Sequence, residues 1–170
     1  MSLPYRTRRR ITAVLAIGLT GLALASTASA VDLRDWGRKF NTASERFVVL
    51  AQFNNEAVLD KETQLVWMKT SRVANHYSTA YLLCMMADTG GRHGWRLPTA
   101  PEMASLMATA ATSMPSVFAI PSGRYWTSSE HPQAHQYNYQ YAMTIQAPDG
   151  AMSTEVKTEL RPFVCVRGVT

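Results

Sequence analysis

Only two cysteines occur in the 170 residues, Cys84 and Cys165, and they stand far apart. A reactive or metal-binding pair would need further ligands, and none stands near either cysteine. Repeats, linkers and low-complexity segments are also missing, so a single domain is expected rather than an array. No stretch interleaves basic residues with aromatics, and the formal charge of +5 misleads. Arg6, Arg8, Arg9 and Arg10 all lie at the start of the chain, and the residues after Ala30 carry 13 Lys and Arg against 12 Asp and Glu, a net +1. Nucleic acid and anionic lipid lose their footing as partners.

Long apolar runs are scarce as well, and the one that exists has a recognisable setting. Ile11 to Ala25 holds no charge, but it is shorter than the about 20 residues a membrane span needs. The four arginines precede it, and Ser26-Thr27-Ala28-Ser29-Ala30 follows, with Ala28 and Ala30 placed as an A-x-A cleavage site. These are the three parts of an export signal. Thr7-Arg8-Arg9-Arg10-Ile11 also has a loose likeness to a twin-arginine signal, so the general and twin-arginine routes both stay open. With no cysteine near the cleavage point, a soluble protein in the periplasm or beyond is expected, with no membrane span after cleavage. The division is 1–30 signal peptide, 31–45 N-terminal segment and 46–170 folded domain. In an oxidising compartment an isolated even pair of cysteines reads as a disulfide. Closing so long a loop stabilises the fold by about 4 kcal/mol on the chain-entropy model.

Along the rest of the chain, Phe47–Phe53 is β-rich and ends at the turn signal Asn54-Asn55. Ala57-Val58-Leu59 and Leu65-Val66-Trp67 flank a polar stretch and read as a hairpin. Ser78 to Asp88 reads as a helix, with Ser78 at the cap and Ala80, Leu83, Cys84 and Ala87 facing the core. Gly90-Gly91 stops it. Thr99-Ala100-Pro101-Glu102 is a capping box opening a second helix with Met103, Leu106, Met107 and Ala110 on its apolar face. Strands follow at Arg124–Ser128, Tyr137–Gln146, Ala151–Lys157 and Phe163–Arg167. In the second, Tyr139, Tyr141, Met143 and Ile145 alternate with polar or small residues. In the last, Phe163, Cys165 and Arg167 face one side. The fold class is α+β, with two helices packed on short antiparallel strands.

These pieces come in a telling order: Asp60-x-x-Thr63-x-Leu65-Val66-Trp67, Ala80-Tyr81-x-x-Cys84, Gly90-Gly91, Trp95-Arg96-Leu97-Pro98-Thr99, Tyr125-Trp126-Thr127-Ser128-Ser129 and Cys165-Val166-Arg167-Gly168. The series resembles the family named after the C-terminal domain of the Legionella collagen-like adhesin, over about residues 46–168. The resemblance implies a C-type-lectin-like fold, with the first helix disulfide-linked to the last strand. A more distant likeness is to the sulfatase-modifying formylglycine-generating group, although fold likeness does not carry function across. Two departures stand out. Gln64 replaces the glycine usual after the hairpin threonine, which suggests a different turn. Val49–Phe53 reads as an insertion.

For chemistry, an oxidase of the formylglycine type needs copper-holding cysteines beyond a structural pair, and no third cysteine exists. Glu130, His131 and His135 share one loop and include metal-ligand types, but Pro132 breaks helical spacing and a solvated loop is the simpler reading. The calcium motifs of sugar-binding lectins, Glu-Pro-Asn and Trp-Asn-Asp, are absent. No cofactor and no metal are therefore expected, and Met85, Met86, Met103 and Met107 read as core filling. The best ligand surface is the aromatic stretch around the 128–138 loop, with Arg124, Trp126, Glu130, His131, His135 and Tyr137 as candidates. Two alternatives remain open there. Tyr139 and Tyr141 share either a buried face or a binding face, and Trp126 belongs equally with Trp67 and Trp95 among expected core residues. The expected function is a non-catalytic binding module for a polysaccharide or a protein at the cell envelope. The alternative is a structural or assembly subunit without a small ligand.

Overall fold

The structure, a computed structural model, describes Phe40 and residues 42–107, 114–131 and 140–169. The expected signal peptide, most of the N-terminal segment, and His135 and Tyr137 lie outside these residues. The described residues from Phe40 onward belong to one compact unit. Among the described residues, helices α1 (Ala43–Arg46), α2 (Tyr77–Met85) and α3 (Ala100–Met107) combine with nine short strands. A four-stranded antiparallel sheet runs β1 (Phe47–Val49), β2 (Ala57–Asp60), β3 (Leu65–Met68) and β9 (Val166–Gly168). β4 (Arg72–Ala74) pairs with β8 (Arg161–Phe163), and β5 (Gly123–Glu130), β6 (Tyr141–Ala147) and β7 (Met152–Val156) form a third sheet. This is the expected α+β class, and the Cys84–Cys165 disulfide joins α2 to the chain just before β9.

The hairpin β2–β3 forms as its pattern predicts, and its turn shows what the Asp-x-x-Thr spacing is for. The Asp60 carboxylate accepts from Glu62 N–H at 3.0 Å and Thr63 Oγ1 at 2.7 Å, fixing the turn. It also accepts two hydrogen bonds from the buried Arg46 guanidinium, at 2.7 and 2.6 Å. Burial pushes the Asp60 carboxyl up, but the bonds from Arg46, Thr63 and Glu62 together hold it below the usual range. Gln64 has a left-handed φ of 58°, the backbone conformation that glycine adopts at least cost. A left-handed non-glycine residue costs about 1 kcal/mol or more. Gln64 offsets part of that by donating its side-chain amide to Lys61 O at 2.9 Å.

The other motifs are frame as well. Arg96 donates to both oxygens of Glu102, at 2.8 and 2.6 Å, while its backbone bridges Val166. The Thr99–Glu102 capping box closes as expected, and Ser129 Oγ accepts from Ala100 N–H at the same helix end. Tyr125 donates its hydroxyl to Pro121 O, and Thr127 to Met143 O. Trp67, Trp95 and Trp126 are all in the core, with Leu97, Met103, Leu106, Ile145 and Phe163.

Several expectations need correction. α2 starts at Tyr77 with His76 at its cap, not Ser78, and ends at Met85, where Ala87 N–H bonds Cys84 O in a tightened last turn. Ala80, Cys84 and Ala87 do face the core, but Met85 and Met86 are exposed because they follow the buried stripe by one and two residues. The strand expected over Phe47–Phe53 stops at Val49. Ala51–Phe53 forms a 3₁₀ turn, since Leu50 O accepts from both Phe53 and Asn55 N–H. The expected last strand splits into β8 and β9, and residues 163–166 are all buried as they pass from one sheet to the other. Tyr141 is exposed, while Ala142, Thr144 and Ile145 are buried.

Candidate functional site

The expected ligand loop is only partly a surface of free groups. Arg124 lies on β5 opposite Gln146, and its guanidinium is engaged by Glu155 and by Ser153 Oγ. Arg161 holds the other Glu155 oxygen at 3.0 Å, and the two arginines, Arg124 first, keep the Glu155 carboxyl below its ordinary range. Trp126 is fully buried, edge-on to Tyr77 at 5.6 Å, so it offers nothing to a ligand. Glu130 is exposed at the end of β5 and His131 lies 6.3 Å from the Tyr141 ring. These three come together at the loop end of the β5–β6 hairpin. Nearby, burial with Tyr81 and Glu130 pushes the Tyr77 hydroxyl up. His135 and Tyr137 are outside the described residues. Among the described residues no group of three or more His, Cys, Asp or Glu is placed to hold a metal.

A different region has the better shape. In the four-stranded sheet Val48, Leu59, Val66 and Arg167 are register partners across β1, β2, β3 and β9, so their side chains form one row on one face. Trp67, Val58 and Val166 form the neighbouring row on the core face. The Leu50–Phe53 segment curls over the first row and leaves a cleft of about 240 Å³ lined by Leu50, Gln52, Phe53, Leu59, Val66, Arg92 and residues 167–169. Gly90 makes that curl fit. Its φ is +64°, a Cβ there would lie 2.5 Å from Phe53 Cα, and its N–H donates to Glu56.

Among the described residues the charged side chains that line the cleft are Arg92 and Arg167. Arg92 stands over the Phe53 ring at 5.9 Å, and Arg167 stands over Phe53 at 5.8 Å and Trp95 at 5.9 Å. Phe53 and Trp95 meet edge to face at 6.2 Å, which fixes the platform beneath both guanidinium groups. Among the described residues no acidic residue lines the cleft. A larger depression, about 380 Å³, is lined by Glu56 with Lys69 and Arg72 and has only Met68 as an apolar wall. Its mixed charge and committed carboxylate make it the weaker candidate.

The model of the Lcl C-terminal domain family matches residues 56–167, more than half of the chain. The chain belongs to the Lcl C-terminal domain family. This is the resemblance that the ordered motifs carry, and it ties the chain to an adhesin-associated domain. No curated protein matches the chain. The Lcl C-terminal match begins at Glu56, so Leu50, Gln52 and Phe53 lie outside it, whereas Leu59, Val66, Arg92 and Arg167 lie inside. The cleft is thus half family frame and half the segment that reads as an insertion. That insertion is the signal that sequence reasoning had in hand. Arg92 carries no signal of its own, because its meeting with Phe53 and Arg167 depends on three distant segments.

Proposed function

We propose that the protein is an exported, non-catalytic binding module that contacts a polysaccharide or a protein at the cell envelope. The observation that carries this reading is the cleft, in which an aliphatic floor lies beside two guanidinium groups resting on one aromatic platform. Arrangements of this kind anchor partners through desolvated apolar contact and charge-assisted hydrogen bonds. Membership of an adhesin-associated family supports a place in the envelope or outside the cell, reached through the signal at residues 1–30. A C-type-lectin-like frame, with α2 stapled near the last strand, is in keeping with the same role. The test is an array of glycans and peptides probed with purified, oxidised protein beside its Arg92→Gln variant. Specific binding that falls about tenfold in the variant supports the module. A blank from protein proved folded overturns it.

A second reading, an assembly subunit, has one observation in its favour. Tyr81, Leu82, Met85 and Met86 form an exposed apolar face on α2, of the sort that contacts another protein. Sedimentation at rising concentration tests it. A strict monomer removes self-assembly as the role of that face.

A further inference from the structure

We infer that the cleft between the Leu50–Phe53 turn and β9 receives an acidic peptide, with a carboxylate on Arg92 and a neighbouring aliphatic side chain on Leu59. This rests on the binding-module reading and names the class of partner for its cleft. Size comes first. A cleft of about 240 Å³ falls below the roughly 300–1,000 Å³ of a pocket that encloses a whole small molecule. It takes one or two side chains of something larger.

The chemistry of the walls selects among larger partners. Leu50 and Val66, 8% and 3% exposed, close the base of the cleft, and the half-buried Leu59 is the aliphatic wall that stays open. The aromatic rings present no open face, since Phe53 is 9% and Trp95 2% exposed and the guanidinium groups stand over them. A sugar ring stacks on an open aromatic face, which this cleft does not give it. A branched aliphatic side chain needs only the open Leu59 wall. Charge decides the rest. Arg46, Arg96, Arg124 and Arg161 each have a carboxylate partner, whereas among the described residues no carboxylate lies within ion-pair distance of Arg92. Its planar donors face a cleft lined by no carboxylate among the described residues, and a planar carboxylate is the group that matches them in two parallel hydrogen bonds. Asp beside Leu or Val supplies both requirements within one short extended segment.

The test uses fluorescence anisotropy of the full exported protein with labelled, capped pentapeptides GLDLG, GLNLG and GADAG. GLDLG is expected to bind at least about tenfold more tightly than GLNLG, the loss expected for one charge-assisted contact, and than GADAG. In Arg92→Gln the difference between GLDLG and GLNLG disappears. Amide shifts in NMR spectra place the contact, with the largest changes at Phe53, Arg92 and Gly168. Equal affinity for the three peptides, or shifts centred elsewhere, overturns the inference. If the peptides fail while an oligogalacturonate binds with the same Arg92 dependence, the peptide is overturned and the binding module stands. If neither binds to protein with native amide dispersion, both readings fall.

Discussion

Arg46 and Arg92, two of the arginines that stand over phenylalanine rings, do so in opposite surroundings. Arg46 lies 4.9 Å from the Phe47 ring, is 2% exposed, and bonds both oxygens of Asp60. Its remaining donors reach Ser105 and Glu62. Arg92 lies 5.9 Å from the Phe53 ring, is exposed, and has no carboxylate beside it among the described residues. The ring is common to both, so the ring does not decide the role. The carboxylate does. A guanidinium taken out of water must be paired or the fold does not form. One left at the surface over a ring keeps its donors for something else at little cost.

The largest effect should come from breaking the buried pair. Asp60→Asn leaves the buried Arg46 with only the part-exposed Glu62, at 3.3 Å, as a carboxylate partner, and a loss of about 3 kcal/mol in urea denaturation is expected. A loss below about 1 kcal/mol would mean that water reaches Arg46 and that the two arginines differ less than their burial implies. Acid probes the same pair without mutation. The folded Asp60 carboxyl titrates below its unfolded value of about 3.9. Its stabilisation is therefore complete above about pH 4 and is lost as pH falls through the depressed folded value. Denaturation midpoints should hold between pH 5 and 7 as far as this group is concerned. The deficit of Asp60→Asn against the wild type should shrink below about pH 4.

Glu102→Gln should do less. Burial raises that carboxyl while Arg96 and Thr99 lower it further, but the Arg96 side chain is 42% exposed, so most of the screened ion pair is worth little. About 1 kcal/mol is expected, chiefly from the weakened helix cap, read from thermal melts. Arg92→Gln should be the smallest of all, within about 0.5 kcal/mol of wild type. A larger loss would place Arg92 in the frame with Arg46 and remove the contrast.

The frame was legible in the sequence wherever the cause of structure is local. The hairpin, the Thr99–Glu102 box and the buried stripe of α2 all follow from spacings within a few residues. Cys84–Cys165 was legible because two cysteines in an oxidising compartment leave one pairing. The β6 strand shows where such reasoning stops. Trp126 sits opposite Thr144, and Glu130 opposite Ala142, so β5 carries a bulge between them. The bulky Trp126 needs small residues across from it, which brings Ala142 and Thr144 inward and sends Tyr141 out. Tyr125 and its partner Ile145 are buried on the other face, and a strand covered on both faces shows no alternation to read. The expected site suffered for the same reason: Trp126 was needed inside, and Arg124 was needed by Glu155. The cleft, by contrast, draws on Phe53, Arg92 and Arg167, and no pattern along the chain announces a meeting of three segments.

The position of Cys165 has a mechanical consequence. It lies between β8 and β9, where the backbone leaves one sheet for another, and the covalent link runs from there to α2. A pull applied beyond β9 can unzip Val166–Gly168 from β3, but the peel stops at Cys165. Tension then passes through sulfur into the helix rather than down the remaining strands. Under load the molecule behaves as a short sacrificial strand in series with a latch, and reducing agent converts it into a thread that unravels from its end.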